Sequence, residues 1–228
     1  MRKMETVRQA ATPATPSTPA QRNRYARMLQ VATAMLASGG EEALQMKELA
    51  ERAEVSLATL YRYFPAKDHV LLAIAYSRFE NALRRVASEA PRGDNVQQRV
   101  TNHMLREFRA EQRDQLLTAA LARVVSDTRP EYREVLSKIE DIRVRVLEHV
   151  AMTGGPVGRE LHQRLRIVTD VFGAATRRWL AGVSSAAQAR FEIRMGCYLL
   201  RTAESHPVGA MATAAESGEA SGGNHRPF

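Results

Sequence analysis

Cysteine is almost missing from this chain. Cys197 is the sole thiol among 228 residues, so no intramolecular disulfide can form, which suits a reducing compartment. Its helical spacing with Ile193 and Leu200 marks it as a small core residue. Equally missing is any apolar run near the roughly eighteen residues that a membrane-spanning helix needs. The N-terminus lacks the apolar stretch of a signal peptide, so the expectation is a cytoplasmic protein with no membrane partner. There is no nucleophile–base pairing and no glycine-rich phosphate loop, and His103, His149 and His162 lack metal-ligand spacing. Catalysis, a metal and a cofactor are therefore not expected.

Positive charge is present but not concentrated. With 33 Lys and Arg against 25 Asp and Glu the formal charge is +8, which suits a polyanionic partner. Between residues 22 and 67, however, Arg22, Arg24, Arg27, Lys47, Arg52, Arg62 and Lys67 face Glu41, Glu42, Glu48, Glu51 and Glu54. The margin is small, so the case for nucleic acid rests on pattern rather than on charge.

That pattern lies between residues 46 and 68. Met46, Leu49, Ala50 and Ala53 share one stripe of a short helix. A turn at Glu54 and Val55 leads to Ser56, a good N-cap, and the next helix should run from about Leu57 to Tyr63 before Pro65 stops it. Leu60 and Phe64 lie four apart on an inward face, which leaves Leu57, Ala58, Tyr61 and Arg62 outward. Helix, short turn and exposed second helix make a helix-turn-helix, and the second helix suits a major groove. Upstream, Tyr25, Met28, Leu29, Ala32, Met35 and Leu36 recur at helical spacing until Gly39-Gly40. A long fourth helix follows from about Lys67 to Ser88.

Residues from about Arg24 to Ala73 thus resemble the N-terminal domain of the TetR family of bacterial transcriptional regulators. The resemblance rests on Gly39-Gly40, Met46 to Ala53, Val55-Ser56, Thr59-Leu60-Tyr61-Arg62-Tyr63-Phe64, Pro65 and Lys67. It implies an all-α fold of about nine helices, the last two forming a dimer interface and the middle ones enclosing a ligand pocket. Three positions depart from the family pattern. Glu54 stands where glycine is usual, so a conformational cost and a slightly altered turn are expected. Ala66 replaces a Ser or Asn cap, giving the fourth helix a weaker start. Gln45 replaces the usual Thr.

The expected organisation is a basic, Pro- and Thr-rich disordered arm over residues 1–20 and the helix-turn-helix domain over 21–67. A helical ligand-binding and dimerisation domain over 68–205 and a disordered tail over 206–228 complete it. The arm could reach phosphates or the minor groove, or be passive. Capping boxes are read at Asp94–Gln97, Thr128–Glu131 and Ser185–Gln188. Helices are expected over about Asp114–Val125 and Gly158–Val183, with a break at Gly154-Gly155-Pro156.

On this reading the protein is a homodimeric repressor of double-stranded operator DNA. Lys47, Thr59, Tyr61, Tyr63 and Lys67 would anchor phosphates, Leu57 and Ala58 would meet base edges or thymine methyls, and Ser56 and Arg62 would be polar readers. Two stripes, Val168-Val171-Phe172-Ala175-Trp179 and Phe191-Met195-Tyr198-Leu199, are the expected dimer surface, with Gly173 and Ala174 allowing close approach. A hydrophobic effector is expected among Met104, Phe108, Leu117, Leu121, Val125, Ile142, Val146, Leu165, Val168 and Phe172. Arg106, Arg109, Arg113, Arg177 and Arg178 are candidates for meeting an acidic group on it, or are solvated faces. Short matches at Gln45-Met46-Lys47, Gln115 to Ala120 and Val168 to Leu180 are similar to the sterol-catabolism branch of the family, implying a steroid or a coenzyme A thioester. The rival readings are a ligand-independent architectural DNA binder and an all-α enzyme.

Overall fold

The computed structural model describes residues 14–90, 92–151 and 157–204. Among them the chain forms nine α-helices and no strand. They are α1 Pro19–Ala43, α2 Met46–Arg52, α3 Leu57–Tyr63, α4 Lys67–Ser88, α5 Val96–Arg113, α6 Gln115–Val125, α7 Arg133–Ala151, α8 Arg159–Leu180 and α9 Ala186–Cys197. Short 3₁₀ turns at Pro130–Tyr132 and Tyr198–Glu204 precede α7 and follow α9. The expected all-α class is the observed one.

Local chemistry sets most of the boundaries. Ser56 and Ser185 cap α3 and α9 by accepting from the Thr59 and Gln188 amides, satisfying amides that the first helical turn cannot. α4 starts from Ala66 with no side-chain cap, as that residue implies. Three expected helix starts shift. α1 begins at Pro19 behind a Thr18–Gln21 capping box, inside the span expected as an arm, and the Ala14 amide donates to the Arg62 carbonyl at 3.0 Å. α5 is capped by Asn95, one residue later than read, because Asn95 accepts the Gln98 amide at 2.8 Å. No box forms at Thr128. Tyr132 is buried, and its amide closes a tight turn onto the Arg129 carbonyl at 3.1 Å before α7 begins.

α8 ends earlier than expected, at Leu180, because Gly182 takes a φ of +69° and the Val183 amide bonds back to the Arg178 carbonyl at 2.9 Å. That is a Schellman cap, the usual close of a helix on a left-handed glycine. α9 also stops short, so Tyr198 and Leu199 stand on the 3₁₀ turn. The anticipated arm over residues 1–13, the break at 154–156 and the tail over 206–228 lie outside the described residues. Among those described, no helix is long and apolar enough to cross a membrane.

Two hydrophobic cores organise the helices. The first joins α1, α2, α3 and the front of α4 (Val70 to Ala75) with Leu117, Ala120 and Val124 of α6 and Ile139 of α7. The second begins at Ala82 and Val86 of α4 and gathers α5, α7, α8 and α9. The reading helices are therefore not a separate packing unit ending at Lys67: α6 helps to complete their core, and α4 runs through both. Cys197 lies in the second core, as its spacing indicated.

Candidate nucleic-acid interface and effector cavity

α3 stands on one buried face. Leu60 and Phe64 are fully covered, and Tyr25 of α1 packs against Phe64 with ring centroids 5.1 Å apart. The opposite face carries Leu57, Ala58, Tyr61 and Arg62, all exposed, with Tyr61 44 % accessible. Lys47 at the start of α2 is exposed as well. A small apolar surface with a phenol and cations beside it is the chemistry a duplex groove and its phosphates accept.

Tyr63 requires a correction. It is only 2 % exposed, with its ring edge-on to Tyr25 at 5.7 Å and the Arg62 guanidinium 5.2 Å above it. Two positions from Tyr61 on a helix is about 200° of rotation, so the two tyrosines cannot share the outward face. Tyr63 anchors the reading helix from its inner side. Other predicted contacts are partly engaged within the chain. The Ser56 hydroxyl caps α3 and meets the Thr59 hydroxyl at 2.8 Å. The Lys67 ammonium donates to the Glu41 carbonyl at 3.0 Å, which leaves two of its three protons for another acceptor.

The turn between α2 and α3 closes with Glu54 in the position where glycine is usual. The Val55 amide bonds to the Ala50 carbonyl at 3.0 Å and the Glu54 amide to that of Glu51 at 3.1 Å, the pair of bonds of a Schellman cap. Glu54 simply adopts the left-handed conformation itself, with φ +51°. Arg27 of α1 holds its carboxylate at 2.9 Å.

Behind the reading domain lies an ionic junction. Arg123 of α6 grips both oxygens of Glu41 at 2.7 and 2.9 Å and reaches Asp68 of α4 at 2.5 Å. Arg129 pairs with Asp68 and Asp127, and its guanidinium lies 4.5 Å over the Tyr132 ring. Burial pushes the Asp68 carboxyl up, but the hydrogen bonds from Arg123 and Arg129 outweigh it and hold the group below the ordinary carboxylate range. α1 and α4 thus meet at Arg123 of α6, and the loop after α6 joins them at Asp68.

A cavity of about 420 Å³ opens between the two cores, within the size range of small-molecule sites. Of the residues expected to line it, Met104, Leu121, Val125, Val146 and Phe172 do. Phe108, Leu165 and Val168 instead fill the second core and Leu117 the first, and Ile142 is buried without reaching the cavity. The sequence reading also missed α4, whose Ala75, Phe79 and Ala82 form a wall. It missed most of the polar lining too: Arg78, Arg85, Glu107, Glu111, Arg143 and Arg177 all border the space. Only Arg177 of these was among the candidate arginines; Arg109, Arg113 and Arg178 do not line it. The Thr176 hydroxyl donates to the Glu111 carboxylate at 2.9 Å, joining α8 to α5. Burial pushes the Glu111 carboxyl up to about 7, with Glu107 adding to the rise.

The outward apolar surface of the last helices differs from the expected one. Phe191 (55 % exposed), Met195, Tyr198 and Leu199 do face solvent. On α8 the read stripe turns inward: Ala175 is fully buried, and Trp179 packs on Phe108 at 5.3 Å. The exposed large apolar residue of α8 is Ile167, with Val171 half-buried beside α9. Close approach occurs at Gly196, where a methyl group would sit 2.8 Å from Val171 Cγ1, rather than at Gly173, whose nearest neighbour is Arg177.

Comparison with known proteins then adds kinship. Residues 28–74 match the family of bacterial regulatory proteins described as the tetR family. The HTH-type transcriptional repressor KstR of Mycolicibacterium smegmatis is 32 % identical over 192 residues, covering 82 % of this chain and 92 % of that protein. Among solved structures, a TetR transcriptional regulator from Rhodococcus sp. RHA1 is 28 % identical, with a TM-score of 0.72 over 82 % of this chain and 99 % of that one. Thermus thermophilus FadR, a TetR-family repressor in complex with lauroyl-CoA, shares the fold at 18 % identity. Its TM-score is 0.62 over 81 % of this chain and 96 % of that one.

Proposed function

This chain belongs to the tetR family of bacterial regulatory proteins, as a helix-turn-helix transcriptional repressor and not an enzyme, and on that premise we propose how it works. It binds a palindromic operator as a homodimer and is released by a hydrophobic effector. The observation that carries this reading is the outward face of α3, where Leu57, Ala58, Tyr61 and Arg62 stand clear of a helix anchored by Leu60, Tyr63 and Phe64. Leu57 and Ala58 read base edges; Lys47, Thr59, Tyr61 and the free donors of Lys67 hold phosphates.

One such helix covers a half-site, and a twofold partner about 34–36 Å away covers the other. Phe191, Met195, Tyr198 and Leu199 with Ile167 of α8 supply the self-complementary surface, since exposed large apolar groups in a row mark an interface. The effector is a steroid or an acyl-coenzyme A type lipid. The size and part-apolar lining of the cavity support that class, as does the lauroyl-CoA held by a neighbour of the same fold.

Release follows from shared helices. α4 and α6 line the cavity with Phe79 and Leu121 while their other residues, Asp68 and Arg123, hold the reading domain. A ligand that prefers one spacing of these helices shifts the two reading heads and weakens the operator complex. The domain division expected near residue 67 becomes, on this reading, a functional one about α4 rather than a break in packing.

The test is a gel-shift titration on the palindrome upstream of the protein's own gene. Tyr61→Ala loses operator binding while remaining a dimer, and wild-type affinity falls steeply with salt as phosphate contacts release counterions. Unchanged binding by Tyr61→Ala would remove the assignment. An architectural binder would show little preference for the palindrome over random duplex.

A further inference from the structure

Two carboxylates border the cavity, and their partners differ. Glu107 pairs with Arg85 of α4 at 3.1 Å. Glu111, one turn further along α5, makes no ion pair among the described residues. Its Oε2 accepts the Thr176 hydroxyl of α8 at 2.9 Å, and its Oε1 has no hydrogen-bond partner among those residues. A third helix holds the same residue in place, since the Thr118 hydroxyl of α6 donates to the Glu111 carbonyl at 3.1 Å. Thr118 and Thr176 are both buried and both line the cavity. A fixed carboxyl with one spare oxygen therefore borders a chamber walled by Phe79, Leu121, Val146 and Phe172.

The charges around that carboxyl decide what it can offer. Arg78 and Arg85 of α4, Glu107 of α5, Arg143 of α7 and Arg177 of α8 share the cavity with it, and α6 adds no charge. Arg143 is occupied by Glu140 at 3.1 Å and by the Thr169 carbonyl at 2.9 Å, while Arg78 and Arg177 are exposed. Burial pushes the Glu111 carboxyl up to about 7 against the Thr176 bond and the charge of Arg78, with Glu107 adding to the rise and Arg143 opposing it. An apolar body that fills the chamber removes the remaining water and drives the same shift further. In the filled cavity the group is therefore a neutral acid. Because Oε2 already accepts from Thr176, the proton sits on Oε1 and is free to be donated.

We propose that Glu111 selects the effector by donating a hydrogen bond from Oε1 to a ketone-type oxygen carried on the ligand's apolar body. The inference rests on the reading of this cavity as an effector site and adds to it a specificity-determining residue and the functional group it recognises. A ketone oxygen needs only a donor, whereas a hydroxyl brings a proton that needs an acceptor of its own. A ligand carboxylate at this point would meet Glu107 and Glu111, and a ligand ammonium would share the chamber with four arginines, Arg78, Arg85, Arg143 and Arg177.

The test compares 2-acetylnaphthalene with 2-ethylnaphthalene, two probes of matching shape that differ by the ketone oxygen. Calorimetry on the full chain, run in two buffers of different protonation enthalpy, reads affinity and proton uptake together. At pH 6 the wild type binds the ketone about tenfold more tightly than the hydrocarbon. That advantage falls about tenfold between pH 6 and pH 8, and binding at pH 7.5 takes up about 0.7 proton. Glu111→Gln keeps an N–H donor at the same place, so the advantage persists and no longer varies with pH. Glu111→Leu removes the donor, and the two probes bind alike. Equal binding by the wild type at pH 6 overturns the proposal, and so does an advantage that survives Glu111→Leu. Proton release on binding overturns it too, since that is the sign of an ionised acceptor. Failure of both probes to bind at all sinks the effector-cavity reading itself, and this inference with it.

Discussion

The short helix α3 and the long helix α8 both carry apolar and aromatic residues at helical spacing, yet they use them in opposite ways. α3 has only seven residues and one neighbour set, so Leu60 and Phe64 leave no choice about which side faces in. α8 is 22 residues long and sits among α7, α9 and the cavity. Its apolar residues therefore serve a core, a cavity wall and an outward patch at once, and the longest stripe turned out to be the inward one. The lesson is that apolar spacing locates a buried face when a helix has a single partner. It only proposes one when several partners compete.

The sharpest break of this comparison is within α3 itself. Tyr63→Ala should cost about 3–5 kcal/mol by emptying a packed aromatic site. Its neighbour on the outward face, Tyr61→Ala, should stay within about 0.5 kcal/mol of wild type. Thermal melts of the two variants side by side decide it, and equal losses would mean that the faces are not distinct.

On α8 and α9 the matching contrast is Met195→Asp against Ala175→Val. The first should split the dimer in sedimentation measurements and weaken operator binding. The second adds volume to a filled core and should cost about 1–3 kcal/mol while the dimer persists. A dimer that survives Met195→Asp but dissociates with Ala175→Val would restore the stripe read from spacing.

The cavity offers a pH test. The folded-state pKa of Glu111, about 7, lies above its ordinary value of 4.5. Its contribution to stability is therefore complete below about 4.5 and is lost as pH rises through about 7. Glu111→Gln should flatten that part of the stability–pH curve and raise the melting temperature at pH 8. Asp68 works with the opposite sign. Its depressed pKa makes the junction weaken only as pH falls through the folded-state value, so acid should loosen the reading domain first. Amide exchange in α3 would register this.

The smallest effect is expected at Glu54. Glycine there removes a left-handed strain of order 1 kcal/mol and forfeits an exposed ion pair with Arg27, of which little is measurable. Glu54→Gly should be modestly stabilising in denaturant titration, and a loss would show that the Arg27 contact outweighs the strain.

How far the chain was legible follows the same division. The α2–turn–α3 unit, the caps at Ser56 and Ser185 and the place of Cys197 were readable because each depends on residues close in sequence. Tyr63 misled because its aromatic hydroxyl looks like that of Tyr61, and only the 200° between them tells otherwise. Phe108 and Leu165 misled because a side chain beside a void and one beside a neighbour look alike in sequence. Arg78, Arg85 and Arg143 were invisible as cavity residues, since nothing local says that a charged residue borders an enclosed space.

By itself the amino-acid order determined an all-helical chain, a reading helix with a fixed inward side, and the ends of most helices, because hydrogen-bonding caps and 3.6-residue spacing act over a single turn. Only the tertiary structure decided which apolar residues surround space rather than fill it. It alone drew Glu41, Asp68, Arg123 and Arg129 together across α1, α4 and α6. Those outcomes depend on how distant helices share volume and charge, and no local spacing encodes that.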